Sequence, residues 1–158
     1  MNDDRFWAII EQARGPDFIK RLKPILFTLP PPEIHAFGEI LAGKVAELYR
    51  WDIWGIAYIV NGGCSDDGFE YFRRWVVAQG KAFHDRLAAD PDGAFTDPAV
   101  CDCECDELTY AVSESYRQAA RQEIPPSSGK HPKDPRGVDW DEADLGALFP
   151  KTYAVYNA

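Results

Sequence analysis

The chain has 158 residues, 46% of them apolar and 13% aromatic, with five Trp, seven Tyr and nine Phe, a composition that excludes a disordered polymer and suits one domain with a real core. Its 17 Lys and Arg against 26 Asp and Glu leave a net charge of -9, which repels phosphate backbones and anionic headgroups and argues against nucleic acid as a partner. No apolar run reaches bilayer length, and the start, MNDDRFWAII, lacks the basic and apolar segments of a secretory signal, so a cytoplasmic protein with no membrane partner is expected.

In chain order, DDRFWAIIEQAR from Asp3 opens with acidic residues and sets Phe6, Ile9, Ile10 and Ala13 on one stripe, closed by Gly15 and Pro16, which predicts a helix with a start and a stop. Residues 17 to 29 carry Phe18, Ile19, Leu22, Leu26 and Leu29 at helical intervals, and Pro24 is expected to kink or divide them. After the PPP run at 30 to 32, Ile34, Phe37, Leu41, Leu48 and Trp51 hold a helical period, predicting the longest helix. WDIWGIAYIV, 51 to 60, is apolar all round. Ile53, Ile56 and Val60 form a stripe and no partner strand stands elsewhere, so helix is favoured over strand.

Beyond the GG turn, Phe69, Phe72 and Val76 predict another helix, which Phe83 and Leu87 extend past Gly80. ADPDGAFTDPAVCDCECD reads as a loop with one short turn. Leu108, Val112, Tyr116 and Ala119 predict an amphipathic helix, residues 124 to 140 a long polar loop, and DWDEADLGALFP a short helix before an aromatic tail. The whole reads as all-α, a single-domain irregular helical bundle over 1 to 158 of about five to seven helices.

The densest stretch is NGGCSDDGFEYFRRW, 61 to 75. Its two glycines permit positive φ at a sharp reversal, and Ser65, Asp66 and Asp67 are each good helix caps, with Asp67 and Glu70 at the spacing of a capping box. Capping does not account for all of it. Asp66, Glu70 and Arg73, and Asp67, Glu70 and Arg74, continue a charged face for two turns, beside aromatics that include Tyr71 and Trp75.

The run GGCSDDGFEYFRRWVVAQG, with FW near the start, the lead-in YRWDIWGIAYIVNGG and the late FPKTYA, resembles a bacterial family of uncharacterised proteins, the domain of unknown function four-two-four-zero. The resemblance spans nearly the whole chain. It implies a small, mainly helical domain and marks 61 to 75 as the signature stretch, but brings no activity with it.

Cys64 at a helix start could carry a depressed thiol pKa, but two neighbouring carboxylates oppose that, and His35, His84 and His131 stand in no motif that would supply a base. Asp66, Asp67 and Glu70 are hard oxygen ligands without an EF-hand loop or a second acidic cluster around them. The thiols of CDCECDE, Cys101, Cys103 and Cys105, lack a CxxC pair, and the plainer reading is an acidic lead into the next helix. No cofactor is expected. Lys130, His131, Lys133 and Arg136 put positive charge in the polar loop, which could close over an anionic ligand.

No complete catalytic constellation is present, so the expected function is a ligand-binding or protein-interaction module. Its surface would be formed by Asn61, Cys64, Ser65, Asp66, Asp67, Glu70, Arg73, Arg74 and Trp75, and its partner a small molecule or a protein. The alternative is a hydrolase or transferase in which the Asp66, Asp67 and Glu70 carboxylates work with Arg73 or Arg74, with or without a divalent ion. A third reading has Asp66 and Arg73 locking the fold internally.

Overall fold

Helix α1, Asp3–Ala13, begins where the Asn2 side chain accepts a hydrogen bond from the Arg5 N–H at 2.9 Å, satisfying one of the free donors of a helix start. The computed structural model describes residues 1–157. Helix α2, Phe18–Phe27, keeps Pro24 inside it and is not divided there. Leu22 and Leu26, on either side of the proline, are fully buried, and their packing offsets the lost hydrogen bond.

Helix α3, Pro31–Glu47, is the longest and starts on prolines, which have no N–H to leave unsatisfied. It ends before the expected Trp51. Arg50 is extended, at φ -138°, and its neighbours pair with a distant segment: the Trp51 N–H donates to the Arg136 carbonyl at 2.9 Å and the Arg136 N–H to the Tyr49 carbonyl at 3.0 Å. Helix α4, Trp51–Val60, then starts afresh.

Helix α5, Asp66–Ala78, likewise stops short of its expected extension. Gly80 takes φ +98° and helix α6, Lys81–Ala89, follows in a new direction. Helix α7 covers Glu107–Ala120, α8 Leu145–Leu148 and α9 Pro150–Tyr156, with short 3-10 turns at Pro91–Gly93 and Glu142–Asp144. Helix α9 is the aromatic tail of the sequence. Its first turn is capped from far away, the Asp92 carboxylate accepting from the N–H groups of Lys151 at 3.1 Å and Thr152 at 2.8 Å.

The fold is all-α, with nine helices among the described residues, above the expected five to seven because the two long helical patterns split at Arg50 and Gly80 and the tail coils. One core cluster lies among α1, α2, α3 and α7 around Phe6, Ile10, Leu22, Leu26, Phe37 and Leu108. A second lies around α4, α5 and α9 with Ile53, Ile56, Phe69, Phe72, Phe95 and Phe149. Helix α5 serves both, Val77 facing the first and Val76 the second. Among the described residues no helix is long and apolar enough to cross a membrane.

Candidate functional site

The 61 to 75 segment begins with a reversal held from three sides. Gly62 and Gly63 have φ of +68° and +118°, and the Gly63 N–H returns to the Tyr58 carbonyl at 2.8 Å. The Trp54 indole donates to the Cys64 carbonyl at 2.9 Å. The Asn61 amide exchanges two hydrogen bonds with the Cys103 backbone, accepting from its N–H at 2.9 Å and donating to its carbonyl at 3.3 Å, so the cysteine-rich loop is docked on the turn.

Ser65 is the N-cap, its hydroxyl accepting from the Gly68 N–H at 3.1 Å. The capping box of Asp67 with Glu70 does not form, because α5, with Ser65 as its N-cap, begins two residues earlier than that box requires. Asp66 and Asp67 stand in solvent at the positive end of the helix dipole.

The rest of the segment diverges to three surroundings. Arg73 points inward and is 2% exposed, sandwiched between the Tyr49 and Phe69 rings and donating to the Val45 and Phe69 carbonyls at 3.2 and 3.4 Å. Burial pulls its pKa down to about 10, still far above neutral, so the guanidinium stays charged. Trp75 joins an aromatic group with Phe72, Phe83 and Phe95, at ring separations of 6.2, 5.7 and 6.0 Å. Glu70 and Arg74 are the pair that reaches a concavity. They bond to each other at 2.7 Å, and Arg74 also donates to the Asp106 carbonyl at 3.4 Å.

That concavity is a cleft of about 290 Å³ between α3, α5 and α7, roofed by the segment after α7. Leu41, Val45, Val112 and Ile124 supply apolar wall, and Pro125 and Pro126 the roof. The charged and imidazole groups on it are Glu70 with Arg74, His131, and His35 with Glu39 on α3, and the hydroxyls of Thr109, Ser113 and Ser127 complete its polar lining. His35 Nε2 is a buried atom that makes no hydrogen bond, with Glu39 Oε1 3.6 Å away. Glu39 is engaged from the roof, accepting from the Ser128 N–H at 3.1 Å to each oxygen and from its hydroxyl at 2.5 Å. These hydrogen bonds hold the Glu39 carboxyl below its ordinary pKa, Ser128 being the leading cause.

Of the nine residues expected to form one surface, the structure thus brings only Glu70 and Arg74 to the cleft. Sequence reasoning missed His35, Glu39 and Ser128. The spacing of His35 and Glu39, four apart on one half-buried face of α3, was the only trace they left. The carboxylates of Asp66, Asp67 and Glu70 do not converge across a pocket from Arg73, which faces the core. Arg73 also makes no ion pair with Asp66 among the described residues, so the internal lock is built from arginine, rings and carbonyls instead.

Among the described residues no three His, Cys, Asp or Glu side chains are placed to hold a metal ion. Burial pushes the Cys64 and Cys103 thiols up to about 12 and Cys105 to about 11, the reverse of what a thiolate nucleophile needs, while Cys101 is exposed. A wider groove of about 540 Å³ lies beside Arg50 and Arg136, where Arg50 bonds to Asp52 and the Ala88 carbonyl and Arg136 to the Glu47 carbonyl.

No curated protein and no solved structure matches the chain. A family model does, over residues 1–118, the stretch that carries α1 to α6, all but the last residues of α7, and the α3 and α5 walls of the cleft. The chain therefore belongs to the family described as "Protein of unknown function (DUF4240)".

Proposed function

We propose that this protein is a binding module for a small amphipathic molecule, held in the cleft between α3, α5 and α7. One observation carries the reading: a cleft near the lower end of the size range of small-molecule sites, apolar in its walls and roof, with a few polar groups gathered on it. Arg74 spends only part of its five-donor guanidinium on Glu70 and the Asp106 carbonyl, so a ligand headgroup with acceptor oxygens can use the remaining donors. His35 is a second polar side chain lining the same cleft. The ligand is accordingly a compact apolar body with one carboxylate, sulfonate or phosphate group. Nothing in the arrangement favours a hydrolase or transferase over this reading, since Asp66 and Asp67 stand outside the cleft lining. Four free cysteines suit a reducing compartment and support a cytoplasmic setting.

The test is a thermal-shift screen of small amphipathic acids against wild type and Ala42→Trp, which fills the cleft from an exposed wall position. Binding at a hundredfold excess over Kd adds about 2.7 kcal/mol to folded-state stability. A shift in wild type that Ala42→Trp abolishes supports the cleft. A shift of equal size in both would place the ligand elsewhere and overturn the assignment.

A further inference from the structure

The roof of the cleft is attached in an unusual way. From 122 to 135 no residue makes a backbone-to-backbone hydrogen bond among the described residues, in a molecule where most of the remaining backbone is helical. The segment is fixed at two ends. Ile124 packs on the first core cluster, close to Gly38 and Val112, and Arg136 pairs its backbone with Tyr49 and Trp51. Between those anchors two contacts hold it down: the His131 ring against Tyr49, 4.9 Å between centroids, and the three Ser128 hydrogen bonds to Glu39.

We propose that residues 125–135 are a lid over the cleft, whose first half is kept shut by one latch, the Ser128 hydrogen bonds to the Glu39 carboxylate, while the His131 ring on Tyr49 holds the second half. The chemistry of the segment suits that motion. Pro125 and Pro126 form a stiff arm that moves as a unit, and Ser127, Ser128 and Gly129 behind it are small and polar, so opening exposes little apolar surface of the lid itself. The hydrogen bonds of the latch are to an ionised acceptor and all converge on one side chain, so removal of that side chain frees the middle of the lid at once. Little else opposes release, because the lid has no backbone ladder to break. His35, Glu70, Arg74 and His131 also face the cleft; of these only His131, itself part of the lid, bonds to lid backbone, its Nδ1 lying 2.8 Å from the Pro132 carbonyl. A lid of this kind governs how fast a ligand enters and leaves.

That the lid admits a ligand rests on the cleft being a binding site, whereas the latch itself does not. Two readouts on the full chain separate them. Hydrogen exchange, followed by mass spectrometry, compares wild type with Glu39→Ala and Ser128→Ala. The latch requires amides around Ser128 to exchange about tenfold faster in Glu39→Ala, the factor set by losing charge-assisted hydrogen bonds, with α3 and α7 unchanged. Ser128→Ala should move the same amides in the same direction, by less, because its N–H remains. Unchanged exchange around Ser128 in Glu39→Ala would overturn the latch, and so would acceleration that spreads through α3.

Stopped-flow binding of anilinonaphthalene sulfonate, an aromatic anion of the proposed class, supplies the second readout. Association and dissociation should both accelerate in Ser128→Ala, a residue outside the cleft lining, with little change in affinity. Equal rates in wild type and Ser128→Ala would overturn the lid as a gate. Binding in wild type that survives Ala42→Trp would overturn the cleft reading while exchange continues to decide the latch.

Discussion

The Arg73 guanidinium carbon lies 4.5 Å from the centroid of the Tyr49 ring, stacked on it in the core with no carboxylate at ion-pair distance among the described residues, Glu70 and Asp66 acting on its charge only from farther away. Phe69 covers it at 4.7 Å, and two carbonyls accept from it. A desolvated cation between aromatic faces gains about 2 kcal/mol, and the planar guanidinium suits two rings and two carbonyls at once. An ammonium is more strongly hydrated and cannot stack in this way. Arg73→Lys should therefore cost about 2–4 kcal/mol in urea denaturation, and Arg73→Met less than Arg73→Lys, because a flexible apolar chain fills the slot without a buried charge. A lysine variant more stable than the methionine variant would show that charge, and not shape, holds this position.

Arg73 also shows where the sequence stops being legible. Its spacing from Asp66 and Glu70 placed it on a charged helical face, yet 100° of rotation separates consecutive residues, so Arg73 lies on the core side and Arg74 on the cleft side. Periodicity found α1, α3, α4, α5 and α7 because each buries a continuous stripe. It ran α3 into α4 and α5 into α6 because the stripe continues across the breaks. Gly80 at +98° and the Arg136 pairing that stops α3 are, respectively, a backbone fact and a contact 86 residues away in sequence (136 minus 50). The cap of α9 is invisible for the same reason, since Asp92 lies in another loop. The cleft draws its walls from α3 and α7, whose polar residues looked like ordinary solvated faces.

Gly55 on α4 faces the Phe149 ring so closely that a methyl group there would overlap it. Phe149 is buried, and a shift of its ring toward the groove it lines beside Arg50 would give up part of its packing. Alanine gains about 1 kcal/mol of helix propensity over glycine, while overpacking costs about 1–3 kcal/mol. Gly55→Ala should thus be net destabilising by about 1–2 kcal/mol, and the cost should shrink in a Phe149→Leu background. Additive effects of the two changes would mean that they do not touch.

The start of α5 separates capping from charge. Ser65→Ala removes the hydroxyl that accepts from Gly68 and should lower stability by about 1 kcal/mol. Asp66→Asn removes only an exposed charge near the helix dipole and should stay within about 0.5 kcal/mol. Thermal melts of the two variants give the comparison directly, and a larger loss for Asp66→Asn would reinstate Asp66 as an internal lock.

The four thiols differ in what an alkylating reagent can reach. Cys101 is exposed, whereas burial raises Cys64 and Cys103 to about 12 and Cys105 to about 11, leaving almost no thiolate at neutral pH. Native-state iodoacetamide labelling with peptide mapping should modify Cys101 first by a wide margin. Comparable labelling of Cys103 would show that the loop clamped by Asn61 opens readily.

Glu39 ties the lid to pH. The folded protein holds its carboxyl below the ordinary value of 4.5, chiefly through the Ser128 hydroxyl. A carboxylate with a depressed folded pKa contributes stability that is fully present above the unfolded value and is lost as pH falls through the folded one. The latch should therefore be intact at neutral pH and down to the ordinary carboxylate range, and should fail below it as Glu39 takes a proton and loses most of its strength as an acceptor. His35, 3.6 Å from Glu39, and His131 also face the cleft. After correction for the intrinsic pH dependence of exchange, Ser128 amide protection in wild type should be flat from neutral pH through the ordinary carboxylate range and drop only below it. In Glu39→Ala it should be low throughout and show no step, and a step that persists in that variant would assign the release to another acid.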